Sequence, residues 1–456
     1  MHKEFNKIID DKNILILGFG REGKSTYKLL RRYFPNKRLT ISDLNEDLLI
    51  ENNFLSKDDK LELFLGSDYL KSINSFDLII KSPGISFKDV NIIDETIISS
   101  QTDIFLRIYG EQVIGVTGTK GKSTTSSLLF HIISANKTDT VLIGNIGLPP
   151  FEIIDKITNN TIIIFELSSH QLQYISKAPG ISVLLNIYQE HLDHYNSFWD
   201  YQLSKFNIAL KQNMNNSFVF NCDDELINLL LDKYKIKSKK LACSVIAETD
   251  CFIYENKIQF RSNEKTEEIF DLNKPINLMG EHNVKNIMAA VVCCKIIGVP
   301  TELLQEKISD FKGLEHRLEF VETSGSIRFY NDSIATIPEA TIEAIKTLEV
   351  VDTLILGGYD RGIDYTNLLD FIAKSEIRNI ILFGKVGENL HAELQKITNL
   401  KSSLFLIKQL GEISMIIKNN TKPGSICLLS PAASSYDMFK NFEHRGDIFK
   451  EIVKDL

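Results

Sequence analysis

Short runs of consecutive apolar residues recur along the chain, separated by stretches with helical spacing. "NILILG", "RLTISD" and "FDLIIKSPGIS" alternate with the helical "STYKLLRRYF", and this alternation predicts a parallel sheet wound with helices. A second block runs from "EQVIGVTG" through "VLIGNIG", "TIIIFELSS" and "ISVLLNI" to the helical "GEHNVKNIMAAVVCCKIIG". Its strand candidates are apolar throughout rather than alternating, as in sheets covered on both faces. A third block starts near "FKGLEHRLEFV" and carries "TLILGGYD", "NIILFG", "LFLI" and "SICLLSPAASS". The pattern predicts an α/β chain of three domains: a Rossmann-like unit over 1–98, a central unit over 99–312 and a second Rossmann-like unit over 313–456.

Composition changes this picture little. The chain has 456 residues, 43% hydrophobic and 25% charged, ordinary values for a water-soluble globular protein. No run approaches the roughly 20 apolar residues that span a bilayer, and "MHKEFNKIIDDKN" lacks a signal-peptide core, so a cytoplasmic protein without a membrane partner is expected. The net charge of −8 argues against nucleic acid as a partner. Cys222, Cys243, Cys251, Cys293, Cys294 and Cys427 form no CxxC pair, which predicts reduced, buried thiols.

Two loops share the spacing Gly-x-x-Gly-Lys-Ser-Thr: one at Gly20 to Thr26, the other at Gly118 to Thr124. In the second, "VIGV" reads as a buried strand and "STTSSLLFHII" as a helix, so Gly118, Thr119, Lys120 and Gly121 fall at a strand-to-helix turn. There backbone N–H groups and the positive helix end suit phosphate. Lys122 would reach the outer phosphates, and Ser123 or Thr124 would offer a hydroxyl to Mg²⁺. The usual phosphate loop also needs glycine where Val116 stands, so this is a shortened relative of it. The first loop also reads as Gly18-x-Gly20-x-x-Gly23, with Asp43 ending the following strand, the arrangement of a dinucleotide-type site.

The residues downstream of each loop separate their jobs. Beyond the second lie Glu166 at the end of "IIIFELSS", suited to Mg²⁺, and then His191, Asp193 and His194 in "NIYQEHLDHYNS". The expectation is that a metal-bound triphosphate is consumed at the second loop, while the first holds a nucleoside diphosphate as a handle.

Taken together, "GTKGKST", "GNIG" at 144–147, "FELSS", "NIYQEHLDHY", Lys205 in "YQLSKFNIA", "GEHNVKN", "HR" at 316–317 and "NDSIAT" resemble the Mur ligase family, the ATP-dependent amide ligases of peptidoglycan synthesis. "SPGIS" at 82–86, "NDS" at 331–333 and the ending "LLSPAASSYDMFKNFEHRGDIF" are most similar to its glutamate-adding members. The resemblance implies ligation of D-glutamate to UDP-N-acetylmuramoyl-L-alanine through an acyl phosphate, by a monomer using ATP and two Mg²⁺ ions.

Residue by residue, it implies a catalytic centre of Lys122, Glu166, His191 and Lys205, with Ser123 or Thr124, Glu166, His191 and Lys205 around the metal. Lys205 matches the family's carbamylated lysine, whose CO₂ adduct is anionic and compatible with Mg²⁺. Asn286 would contact adenine, Arg317 the ATP phosphates and Asp332 the ribose. Gly20, Asp43, Ser82, Pro83, Gly84, Asn145 and Ser168 would seat the UDP-sugar, and Arg361, Ser435 and Phe442 the glutamate. Taken singly, these residues read more plainly: His194 as a surface histidine, Lys205 as a solvated helix lysine, Asn286 as a helix-face amide and Arg317 as a surface ion-pair partner.

Three positions depart from the family pattern. Glu190 stands where relatives often have Asp, Ile334 where "NDSKAT" has lysine, and Arg361 where a lysine helps bind glutamate. An arginine fork can hold a carboxylate bidentately, with different geometry. An L-glutamate-adding relative is therefore the alternative. A nicotinamide-dependent dehydrogenase explains the first loop and Asp43 but not "GTKGKST" or Glu166. A nucleotide-dependent binding switch explains the phosphate loop but not "NDS" and "SPAASSYD".

Overall fold

The computed structural model describes the chain except residues 1, 72, 89, 91–93, 146, 147, 264, 279, 349 and 437. Ile146 and Gly147 of "GNIG" and the Asp437 of "SPAASSYD" thus lie outside the described residues. The chain forms two compact units: Met1–Ile276 with Glu281–Ser309, and Asn277–Gly280 with Asp310–Leu456.

The first unit contains two sheets. One has the strand order Leu61–Leu65, Leu39–Asp43, Ile14–Leu17, Leu78–Lys81, Ile98–Ser99, all parallel. Ile14–Leu17 is buried along its whole length, and successive strands lie on either side of it. A crevice therefore opens at its C-terminal end, where Gly18 to Gly20 lead into the helix Arg21–Tyr33. A Cβ on Gly23 would meet the Gly18 carbonyl oxygen at 2.0 Å, so this close helix-to-loop approach excludes any other residue there.

The other sheet has nine strands. Val113–Thr117, buried throughout, sits between Ile162–Glu166 and Ile181–Leu184, with Thr140–Gly144 beyond the former. Beyond Ile181–Leu184 come Ser217–Asn221, Lys239–Ser244 and Cys251–Tyr254, still parallel. The edge is an antiparallel addition, Lys257–Ser262 and Lys265–Asp271. Sequence patterning did not predict this edge, because "KTEEIFD" is exposed over its first four positions and carries charge where a core strand would be apolar. One apolar core runs through both sheets of this unit, from Phe5 and Ile16 to Phe165 and Phe218, and another packs Leu15 and Leu17 against Ile73, Phe76 and Ile79.

The second unit holds a six-stranded sheet ordered Glu319–Ser324, Ile327–Asn331, Ile426–Leu429, Val351–Gly357, Asn379–Phe383, Ser403–Leu406. Its first pair is antiparallel and the rest are parallel. Val351–Gly357 and Asn379–Phe383 are buried at every position, including the polar Asp352, Thr353 and Asn379, where Asn379 Nδ2 donates to Asp352 Oδ2 and Thr353 Oγ1. All six cysteines are free, and five of them are buried. Among the described residues no helix is long and apolar enough to cross a membrane.

Candidate active site

The second glycine loop leaves the C-terminal end of Val113–Thr117 and enters the helix Lys122–Ala135 through Gly121, which adopts a left-handed backbone (φ 84°). Asn186 clamps the loop: its carbonyl accepts from Thr119 N at 3.0 Å, its Oδ1 from Lys120 N at 2.8 Å, and its Nδ2 donates to Lys120 O at 3.1 Å. The Thr119 hydroxyl meets the Tyr201 hydroxyl at 2.9 Å and accepts from Tyr188 N at 2.9 Å, so that side chain serves the scaffold. Asn286 is buried, and a Cβ on Gly121 would come within 2.4 Å of its Oδ1. Far from a helix-surface amide, it packs on the loop.

Lys122 Nζ donates to the carbonyl oxygens of Gly118 and Thr119, both at 2.9 Å. Thr124 is buried and Ser123 half-buried in the first helical turn. Glu166, at the end of the neighbouring strand, is fully buried. Its Oε1 accepts from Asn145 Nδ2 at 2.8 Å, and its Oε2 has no hydrogen-bond partner among the described residues. Such an orphaned buried carboxylate oxygen costs free energy unless a donor or cation meets it.

Lys205, read alone as a solvated lysine, is 2% exposed. Its Nζ donates to Gly118 O at 2.8 Å and lies 5.0 Å from the Tyr201 ring centroid. Burial, with Lys122 nearby, holds its pKa well below the ordinary lysine value. His194 is likewise buried rather than on the surface, because the 191–195 turn folds it against His170, their ring centroids 4.1 Å apart. Burial lowers the pKa of His194 to about 4 and that of His170 to about 3, so both rings are neutral at pH 7. His191 lies on the outer side of this cluster, 4.7 Å from the His170 ring, and is exposed, with a left-handed backbone (φ 59°). Glu190, beside it, pairs with Lys120 at 2.7 Å.

At the first loop, Ser82 Oγ donates to Gly18 O at 2.8 Å, tying "SPGIS" to the glycines. Asp43 supports the same loop, its Oδ2 accepting from Phe19 N at 2.5 Å and its Oδ1 from Asn45 N at 2.8 Å. Cβ atoms on Gly20 and Gly84 would meet nothing within 4 Å, which leaves open space beside both. Ser168 caps the short helix Ser169–Leu172 in a capping box with Gln171. Gln171 Nε2 in turn donates to Glu22 Oε1 at 3.0 Å, which links this turn to the first loop's helix.

In the second unit, Asp332 is buried, accepting from Ser430 Oγ at 2.8 Å and Leu318 N at 3.0 Å, and burial raises its pKa to about 6. Arg317 is exposed. Arg361 Nη1 lies 3.5 Å from Ser434 Oγ, whereas Ser435 is buried beside it. Phe442 begins the last helix, Phe442–Lys454, and its carbonyl accepts from Ser333 Oγ at 2.8 Å.

Sequence reasoning left Asn186, His170 and Arg445 unassigned, although each lies in or beside a family-like motif. Arg445 is fully buried and donates to Ser333 Oγ, Ser333 O, Ala433 O and Gly357 O at 3.0, 2.7, 3.0 and 3.4 Å. It thereby joins the loops at the ends of three neighbouring strands. Its only sequence signal was an arginine inside "FEHRGDIF", where a solvated helix face is the ordinary reading.

A phosphate loop at a central strand end, a buried acid on the adjacent strand and a lysine beneath the loop define a nucleotide-dependent enzyme of the α/β class. Residues 116–294 match the family model of the Mur ligase middle domain. The chain is 32% identical to a UDP-N-acetylmuramoylalanine--D-glutamate ligase of Ruminiclostridium cellulolyticum, over 100% of this chain and 99% of the relative. It is 31% identical to the ligase of the same name from Clostridioides difficile, over 98% and 99% of the two chains. A crystal structure of MurF from Acinetobacter baumannii shares the fold at TM-score 0.61 and 13% identity, covering 100% of this chain and 98% of that one. MurC from Thermotoga maritima does so at TM-score 0.56 and 17% identity, covering 97% and 99%. The chain belongs to the Mur ligase family of ATP-dependent ligases.

Proposed function

We propose that this chain joins D-glutamate to UDP-N-acetylmuramoyl-L-alanine with hydrolysis of ATP, as a cytoplasmic monomer in peptidoglycan precursor synthesis. The observation that carries the reading is identity near 30% along the whole chain to several ligases named for that reaction. In the first step an acceptor carboxylate oxygen attacks the γ-phosphorus of ATP, the bond to the β-phosphate oxygen breaks, and ADP leaves an acyl phosphate. In the second, the neutral amine of glutamate attacks the acyl carbon, inorganic phosphate departs, and the nitrogen loses a proton. Both steps gather negative charge, so oriented cations and N–H donors contribute more than a covalent nucleophile.

Lys122 and the 118–121 backbone would hold the phosphates, and Asn286, packed on Gly121, would face the adenine. Arg317 would contact the ATP phosphates and Asp332 the ribose. Mg²⁺ fits the residues present: Glu166 Oε2 is buried and has no partner among the described residues, and a hydroxyl of Ser123 or Thr124, His191 and a carbamylated Lys205 would add ligands, for two ions in all. Among the described residues no group of three or more His, Cys, Asp and Glu forms a ready-made cage, in keeping with a metal held by one or two carboxylates and the substrate's phosphates. When bound, Mg²⁺ would neutralise charge developing on the phosphoryl oxygens.

Gly20, Asp43, Ser82, Pro83 and Gly84 would hold the UDP moiety, with Asn145 and Ser168 toward the sugar and its peptide. Arg361, Ser435 and Phe442 would take glutamate. The deciding assay measures phosphate release with ATP, UDP-N-acetylmuramoyl-L-alanine and either glutamate enantiomer. Release that requires the acceptor and D-glutamate is expected. A preference for L-glutamate, which the Ile334 and Arg361 departures make the second reading, would overturn the enantiomer, and release with neither would overturn the ligase assignment.

A further inference from the structure

The phosphate loop carries a second lysine, and its ammonium is held in an ion pair with Glu190. Lys120 Nζ pairs with Glu190 Oε1 at 2.7 Å, although the lysine side chain remains 69% exposed. Its peptide group is fixed, because Asn186 engages both Lys120 N and Lys120 O while Thr119 N donates to Asn186 O. Backbone motion is therefore restricted, and the flexible four-carbon stem is the part of the residue free to swing.

The partner is weakly held. An exposed lysine–carboxylate pair is offset by side-chain ordering and screened by salt, so a ligand with several negative oxygens competes for the ammonium easily. Such a ligand is what this turn suits, with its N–H groups at the start of Lys122–Ala135. Lys122 donates to the Gly118 and Thr119 carbonyl oxygens, so the loop holds a second ammonium besides that of Lys120, and Glu190 is the carboxylate paired with Lys120. Glu190 Oε2 also lies 3.9 Å from His191 Nε2, so the imidazole is the neighbour left to it once Lys120 departs.

We propose that Lys120 is a second phosphate-binding lysine, parked on Glu190 until a nucleoside polyphosphate arrives, so that nucleotide binding and release of Glu190 are one event. The inference rests on reading residues 118–124 as the nucleotide site.

The test is a double-mutant cycle on the full chain, titrated with ADP. Lys120→Met is expected to weaken ADP binding about tenfold, as for loss of a hydrogen-bonded charge. Glu190→Gln is expected to tighten it roughly two- to fivefold, the worth of the exposed pair it dissolves. That gain should fall by at least half in the Lys120→Met background, because no parked lysine is left to free. Equal gains in both backgrounds would mean that Glu190 acts on the nucleotide directly, and would overturn the proposal. So would Glu190→Gln that leaves ADP affinity unchanged or lowers it. A wild-type protein that takes up no ADP would overturn the nucleotide site itself, whereas uptake with an additive cycle would overturn the parked lysine alone.

Discussion

Lys205 Nζ donates to the main-chain oxygen of Gly118 at 2.8 Å, so a buried amine from the helix Phe198–Leu210 lies directly beneath the phosphate loop. Burial and Lys122 both disfavour its charged form. The neutral amine is the form that attacks CO₂, giving a carbamate and a proton, so the environment that makes an ammonium costly also favours the adduct.

From this arrangement, Lys205→Ala should lose activity on the order of 10²-fold or more, the scale of removing an oriented charge from such a site. A short carboxylic acid added to the assay should restore part of it by supplying the missing anion. Labelled bicarbonate should give a carbamate carbon resonance in the wild type and none in the variant. Full activity of Lys205→Ala would remove the residue from the mechanism.

Gly121→Ala combines two penalties. Its left-handed backbone (φ 84°) costs an L-residue roughly 1–2 kcal/mol. The new Cβ would also lie 2.4 Å from Asn286 Oδ1. ATP affinity should fall on the order of tenfold or more, since about 1.4 kcal/mol is tenfold. Adding Asn286→Ala should relieve the clash without restoring the affinity, a combination that nucleotide titration reads directly.

Asp43 supports the first loop through Phe19 N and Asn45 N. Asp43→Ala is expected to weaken the UDP-substrate by about 1.5–3 kcal/mol, the range for hydrogen bonds to a charged group, and to leave ATP affinity unchanged. Asp43→Asn, which keeps one acceptor, should lose less. A fall in ATP affinity instead would reverse the division of labour between the two loops.

Asp332 provides the pH test. Burial raises its pKa to about 6 in the folded protein, above the ordinary aspartate value of 3.8, so the folded state favours the protonated carboxyl. Its contribution to stability is complete below the unfolded value and is lost as pH rises through about 6. Asp332→Asn should therefore flatten the pH dependence of the second unit's unfolding between these values and gain on the wild type at pH 8. Thermal melts at pH 4.5 and 8 check it, and a variant whose loss of stability is greater at pH 8 would contradict the burial argument.

Much of the fold was legible because strand cores here are unbroken apolar runs. "VIGV", "IIIF", "TLILG" and "NIILF" each became part of a largely buried inner strand, since a strand covered on both faces is mostly apolar. The edge hairpin Lys257–Asp271 was not legible, because a strand with one solvated face and charged ends resembles a loop in composition. Glycine spacing, the lysine of the phosphate loop and the acid after "IIIF" were readable as well, since those roles depend on residues close together in the chain.

What the sequence by itself determined was the set of local conformations: where strands end, where glycine must turn the chain, and which polar residues stand at those ends. Tertiary structure alone decided which of those residues are buried and what they meet. Lys205 and His194 read as solvated until folding placed one under Gly118 and the other against His170. Asn186, Asn286 and Arg445 acquired their partners across 66, 165 and 112 positions of sequence, respectively at Lys120, Gly121 and Ser333. The physical reason is that periodicity and propensity act over a few residues, whereas desolvation, and with it the protonation of an amine or a carboxyl, depends on every segment that packs around the group.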